Sequence, residues 1–333
     1  MSSDHFPSIE AEHGTEPRFV LVYALSAGRF SLPEEQFVKP ATSGARKTVP
    51  SLCFLIQHTS PSDVTTRILF DLGLRRHIGR YSDPIRRHVA TRQPLTTDPD
   101  VVKSLKAGGL TPQDVEIVIY SHVRETVHWD HVGEPRDFPS STFVVGYRSL
   151  DVLDGKGSSL RGGHSFFEAD LLDLSRTIQL AAPTEGTAGN PATSTVSLKR
   201  SSSPSVDFFQ SWKPFGCLPS TLDIFGDGSL YIVDAPGHLP GHLNLLARVG
   251  CDKWVYLAGD ACHDRRIMRG ERAIGEWRDD NGYLCCIHED RVKAEETVKR
   301  IRGLEEKGVE VIFAHDVEWE SDLRNQDRFF GNR

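Results

Sequence analysis

With 333 residues, 38% of them hydrophobic, the chain is long enough for one large domain or two smaller ones and can bury a sizeable core. A formal net charge of -7 offers no basic face for nucleic acid or anionic membrane and favours soluble small-molecule chemistry. The opening MSSDHFPSIEAEHGTEP has neither the basic start nor the apolar core of a signal peptide, and no apolar run approaches membrane-spanning length, so a cytoplasmic location is expected.

Residues 1–17 read as a polar, disordered tail ahead of one domain spanning 18–333. Phe19–Leu25 has the pattern of a buried strand and gives way to a loop interrupted by Gly, Pro and Ser. Leu52–His58 and Thr66–Asp71 read as an antiparallel pair around the turn-rich Ser60–Asp63, while the charged segment Arg75–Thr97 has little periodicity. Pro99–Lys106 reads as a short helix stopped at Gly108-Gly109, and Val115–Tyr120 and Thr142–Gly146 as further strands. The stretch 181–206 is rich in Ser, Thr, Pro, Gly and Ala and reads as a flexible insertion. Four strands follow: Leu222–Phe225, Gly228–Val233, Leu243–Val249 and Trp254–Ala258. An amphipathic helix over Glu289–Lys307, with Val292, Ala294, Val298, Ile301 and Leu304 on its apolar face, leads to a last strand, Val309–Phe313. Strands then helix, twice over, suit an α/β architecture of two sheets sandwiched between helices.

The cysteines (Cys53, Cys217, Cys251, Cys262, Cys285, Cys286) show no CxxC spacing, and Cys285 and Cys286 are adjacent, so reduced thiols are expected, with Cys262 a small apolar filler. The candidate chemistry gathers at strand ends. After Val115–Tyr120 comes SHVRETVHWDHVG, Ser121–Gly133, in which His128, Asp130 and His131 cluster; imidazole and carboxylate are the donors zinc takes in catalytic sites. Tyr231–Val233 runs into Asp234 to His242, Val255–Ala258 into Gly259-Asp260, and Val311–Phe313 into Ala314-His315-Asp316. A small residue beside each candidate lets the backbone approach the site.

In this order, His128–Gly133 (HWDHVG), Pro236–His242 (PGHLPGH), Gly259-Asp260 and Ala314-His315 resemble the motifs of metallo-β-lactamase superfamily hydrolases, in particular the N-acyl-homoserine-lactonase-like branch. The resemblance covers about Phe19 to Arg324. It implies an αββα sandwich with a dinuclear centre at one edge, where His122, His128 and His238 bind one metal, Asp130, His131 and His315 the other, and Asp260 bridges. Two Zn²⁺ are implied, with Mn²⁺, Fe²⁺ or Co²⁺ as alternatives, since geometry and availability select the metal. Asp71 matches an acidic residue that supports the ligands from behind, and His242 takes a structural role. The implied reaction is opening of a small cyclic ester or amide by water activated at the metal pair, with Asp130 as proton shuttle and no Ser or Cys nucleophile.

Two features depart from the family pattern. The pattern His-x-His-x-Asp-His is stretched, as though Arg124–Val127 had been inserted between His122 and His128. His122 coordinates if that bulge loops out; otherwise Glu125 substitutes, or the chain is a degenerate, non-catalytic member. His263 stands where lactonases place a tyrosine against the substrate carbonyl, making it a candidate catalytic contact or a structural histidine. The aromatics Phe208, Phe209, Trp212 and Phe215 suit either core or the wall of an apolar pocket. The implied partner is a small-molecule lactone or lactam, without nucleic acid or membrane; xenobiotics such as benzoxazolinones, opened by γ-lactamase-type members, and thioesters are the alternatives.

Overall fold

The computed structural model describes residues 18–123, 129–154, 171–183, 206–279 and 281–332. The expected N-terminal tail, most of the 181–206 insertion, and the stretch from Arg124 to His128 lie outside the described residues. Two six-stranded sheets face each other. The first is ordered β1 (Val20–Pro33), β2 (Arg46–Thr59), β3 (Thr65–Phe70), β4 (Ile117–Ile119), β5 (Thr142–Val145), β6 (Thr177–Gln179); it is antiparallel up to β3 and parallel from there on. The second is an antiparallel meander of β7 (Lys213–Phe215), β8 (Leu218–Asp223), β9 (Leu230–Asp234), β10 (Leu243–Gly250) and β11 (Lys253–Leu257), with β12 (Glu310–Ile312) added parallel to β11. Helices that bear on the site are α1 (Asp83–Ala90), α2 (Val101–Ala107), α3 (Trp129–Val132) and α4 (Arg291–Glu305).

Alternate residues along each strand serve different layers. Ile56, Ile68, Phe70 and Ile117 meet Leu230, Ile232, Leu245 and Leu257 between the sheets. Their neighbours Leu55, Leu69 and Val118 turn outward against Val101 and Leu105 of α2. Both faces are covered, which is why the strands read as continuous apolar runs. Helix α4, capped by the Asp290 side chain on Lys293 N at 3.1 Å, seals the second sheet with Ala294, Val298, Ile301 and Leu304. Each large aliphatic side chain so buried contributes roughly 1.5–3 kcal/mol. Val292 does not belong to that face: it is 66% exposed, two residues before Ala294 and so on the far side of the helix. The result is the expected αββα sandwich. Among the described residues no helix is long and apolar enough to cross a membrane.

Two further expectations need correction. The first strand does not end at Leu25. It continues to Pro33 across a register shift between Ser26 and Arg29, where Gly28 adopts φ 99° and a Cβ would lie 2.5 Å from Leu74 Cδ1. The segment Arg75–Thr97 holds a helix, α1, anchored by Ile85 and Val89 alone. Of the two readings of the aromatic run, core holds for Phe208, which lies between the sheets, while Phe215 stacks on Tyr231 with ring centroids 4.6 Å apart, and none of the four lines the cavity at the strand ends.

Candidate metal centre

The strand ends converge on one point. β4 runs into Ser121 and His122, α3 presents Asp130 and His131, the turn after β9 carries His238 and His242, β11 leads to Asp260, and β12 leads to His315. Gly259 holds φ +46°, and a Cβ there would lie 2.9 Å from that of Ser121, so the missing side chain lets the β11 end press against the β4 end.

Hydrogen bonds on the far nitrogens turn the imidazoles. Asp71, left-handed at φ 63° beyond β3, accepts from Ser121 N and Ser121 Oγ at 2.7 Å each and from His131 Nδ1 at 2.9 Å. Having given its proton to Asp71, Ser121 Oγ accepts from His122 Nδ1 at 2.9 Å. His315 Nδ1 donates to the Pro50 carbonyl at 2.8 Å. In all three rings Nε2 is the atom directed into the site. His238 Nδ1 lies 3.2 Å from His288 Nδ1, and its Nε2 3.4 Å from Asp260 Oδ2. His242 differs, as its expected structural role requires. Its Nδ1 donates to the Ala235 carbonyl at 3.1 Å and its Nε2 accepts from Asp260 N at 3.2 Å, so both nitrogens serve the turns.

Asp260 faces two ways. Its Oδ2 looks toward His238 Nε2 at 3.4 Å and His122 Nε2 at 4.0 Å, whereas its Oδ1 lies 3.2 Å from the Nε2 atoms of both His131 and His315. Asp130 Oδ2 is 3.1 Å from His315 Nε2. Two trios result, His122–His238–Asp260 and Asp130–His131–His315, with the donor atoms of each within 4.8 Å of one another. A third, overlapping trio joins Asp260, His263 and His315. His128 lies outside the described residues.

The electrostatics favour positive charge at this point. Burial opposes charging His131, yet Asp260, Asp130 and Asp71 outweigh it and hold its pKa well above the ordinary value. For His315 the same contest, won by Asp260 and Asp130, ends at about 10. Burial also opposes charge on Asp130, but His131 and His315 keep it below the usual carboxylate range. Burial, and then His238, push His242 well below, in keeping with a neutral structural ring. The residues fit divalent cations: His131 Nε2 is buried without a hydrogen-bond partner, and a cation between the carboxylates would satisfy it.

A cavity of about 380 Å³ opens over this cluster. Asp130, Asp260, His263 and His315 line it together with the side chains of Phe30, Trp129, Trp277 and Arg92. His263 Nε2 lies 3.1 Å from Asp260 Oδ2. Cys262 beside it is buried filler, as expected, its thiol pushed up to about 12 chiefly by burial. Ser121, His288 and Arg92 escape the sequence reading. Ser121 adjoins a candidate ligand and was within reach of a motif argument, whereas His288 and Arg92 sit in stretches with no local signal.

No family model matches the chain. Among curated proteins it is 29% identical over 253 residues to the cytochrome P450 monooxygenase mpaDE of Penicillium roqueforti, covering 73% of this chain and 25% of that one. It is also 29% identical over 238 residues to the gamma-lactamase FDB1 of Fusarium pseudograminearum, covering 70% and 50%. The chain thus spans between a quarter and a half of the length of these relatives. Among solved structures it superposes on an N-acyl homoserine lactone hydrolase carrying the product N-hexanoyl-L-homoserine at its catalytic metal center, with TM-score 0.57, 18% identity, and coverage of 92% of this chain and 96% of that one. The last two likenesses are to hydrolases named as a lactamase and a lactone hydrolase, and the solved structure shares the αββα fold of this chain. The likeness in fold extends over the whole sandwich, at whose strand ends the two His/Asp trios lie in this chain.

Proposed function

We propose that this metallo-β-lactamase-type chain is a dinuclear metal-dependent hydrolase that opens a small cyclic ester or amide. The observation that carries the reading is Asp260, whose two oxygens each face a separate set of imidazoles. In this reading His122, His128 and His238 would hold one divalent ion and Asp130, His131 and His315 the other, with Asp260 serving both sets. Zinc is the first choice of metal, with manganese, iron or cobalt able to replace it. When bound, such a pair lowers the pKa of water toward roughly 7 and polarises a carbonyl.

The chain's own residues do the rest. Asp71 and Ser121 keep His131 and His122 turned inward. Asp130, at the cavity floor, moves a proton toward the departing oxygen or nitrogen. His263, also lining the cavity, contacts the carbonyl or the leaving group. Cys262 takes no part as a nucleophile, because a thiol with a pKa near 12 supplies almost no thiolate at neutral pH. Support for the ring-opening class comes from the gamma-lactamase relative and from the lactone hydrolase of like fold. The gamma-lactamase likeness makes a cyclic amide or carbamate such as benzoxazolinone the specific alternative to a lactone.

The test is metal analysis of protein purified without chelator, joined to a hydrolysis screen over acyl-homoserine lactones, γ-lactones, benzoxazolinone and a thioester. Two metals per chain with ring opening are expected. Less than one metal and no turnover after zinc or manganese is restored would instead make this a non-catalytic member.

A further inference from the structure

The cavity is bordered by two guanidinium groups that have no carboxylate within ion-pair distance among the described residues. Arg92, just beyond α1, is only 6% exposed; its Nε donates to His88 Nε2 at 3.2 Å and its Nη1 to Gln36 Oε1 at 3.1 Å. Arg46, at the start of β2, is exposed at the rim. Its Nε donates to Ser31 Oγ at 2.9 Å, and its Nη2 to the carbonyls of Ser31 at 2.9 Å and Thr91 at 2.8 Å. Both line the cavity. Neither has a carboxylate partner at ion-pair distance among the described residues, although their chain neighbours Lys47 and Arg86 each have one. Arg92 Nη2 and Arg46 Nη1 make no hydrogen bond to a described residue, so each fork is held from one side and open on another.

An arginine buried without an acidic partner is unusual, because desolvating a charge is costly unless an opposite charge meets it. Burial, and then the neighbouring Arg46, pull Arg92 down to about 10 against a weaker opposing pull from Asp130, and this still leaves it charged at neutral pH. The pair, lacking a carboxylate in contact, lies in a substrate-sized cavity, so the contacting partner is best supplied by the ligand. We infer that Arg92 and Arg46 form an anion subsite that binds a carboxylate carried by the substrate away from the bond that is broken. This rests on the hydrolase reading of the same cavity. A guanidinium fork matches the two oxygens of a carboxylate, and the walls from Phe30, Trp129 and Trp277 suit an apolar or aromatic body. The substrate class is therefore a carboxylated, ring-fused lactone or lactam.

The test compares a dihydrocoumarin bearing a ring carboxylate with the matching primary amide, using the metal-loaded protein. The wild type is expected to prefer the carboxylate in kcat/KM by between about tenfold and a hundredfold, the range of hydrogen bonds to a charged group. Arg92→Gln should erase most of that preference through KM, and Arg92→Lys should retain part of it. Arg46→Gln, at the exposed rim where folding is not at stake, should lower the preference several-fold. An unchanged ratio in both glutamine variants overturns the subsite. So does an equal fall in kcat on both compounds, which would mean that the arginines serve the newly formed carboxylate. Calorimetric binding of the two compounds separates this inference from the reading beneath it. Tighter carboxylate binding that Arg92→Gln abolishes upholds the subsite even if neither compound is hydrolysed, an outcome that would sink the hydrolase reading alone. Equal binding with normal hydrolysis of both sinks the subsite alone.

Discussion

The floor and the wall of the cavity are built on different principles. On the floor, Asp260, His131 and His315 stand just beyond strands or on the short helix after β4, and hydrogen bonds donated to the Asp71 carboxylate and the Pro50 carbonyl fix the far nitrogens of the two rings. The wall is assembled from distant pieces: Phe30 from the continuation of β1, Arg92 from the end of α1, and Trp277 from the hairpin Glu276–Arg278 with Leu284–Cys286. Sheet hydrogen bonding locks the floor, so its chemistry tolerates little change. The wall can change without dismantling the floor, so in the proposed reading it is the region that would select the substrate.

The largest effect should come from breaking the floor at its shared residue. Asp260→Ala removes the carboxylate that both trios use, and is expected to abolish hydrolysis and strip metal while the fold persists. Metal analysis together with the circular dichroism spectrum checks this; normal turnover with both metals retained would remove Asp260 from the centre. Next comes the support behind the floor. Asp71→Asn leaves every proposed ligand in place but weakens the bond that turns His131, and such losses typically cost 10–100-fold in metal affinity or activity. Chelator competition reads it directly, and unaltered metal retention would mean that the ring is held by its other contacts.

Much of the floor was legible because its signals are local. A strand end with a small residue beside a ligand type can be read wherever it occurs, as at His238, Asp260 and His315, whereas Asp130 and His131 stood out by their clustering in HWDH. The structural role that the resemblance implied for His242 has its physical cause in two hydrogen bonds, which no spacing rule contains. The wall was largely illegible. Gly28 and Pro33 look like strand breakers, yet a bulge at the first lets β1 run on to the second. Helix α1 buries only Ile85 and Val89, too few apolar positions to lift its period above the surrounding charge, and so Arg92 carried no sign of its place. The aromatics from Phe208 to Phe215 looked equally fit for either role, and only the packing of the sheets assigns Phe208 to the core.

A wall substitution should behave differently from a floor one. Trp277→Ala takes an aromatic face from the cavity without touching any proposed ligand, so both metals should stay bound while KM for an aryl lactone rises by about tenfold, the scale of a partly buried aromatic contact. Metal loss in this variant would show that wall and floor are not separable after all.

The smallest effect concerns the residue that ties the two regions together. Asp264 follows the floor turn and accepts from Lys47 Nζ of β2 at 2.9 Å and from Arg266 N and Nε at 2.9 and 2.8 Å. Arg266 in turn reaches Glu34, just past the end of β1, at 3.2 Å. Burial works against the Asp264 carboxylate, but Arg266 and Lys47 outweigh it and hold its pKa at about 2, below the reference 3.8. A carboxyl group with a depressed folded-state pKa stabilises the fold above its unfolded pKa, and that contribution is lost as pH falls through the folded one. Asp264→Asn should therefore lower stability at pH 7 by on the order of 1 kcal/mol, once solvent screening is allowed for. The gap between wild type and variant should close as pH falls from about 4 toward 2. Denaturant midpoints at the two ends of that range decide the matter. A gap that persists at the acid end would assign the effect to the shape of the turn, leaving the ionised link between wall and floor without a role in stability.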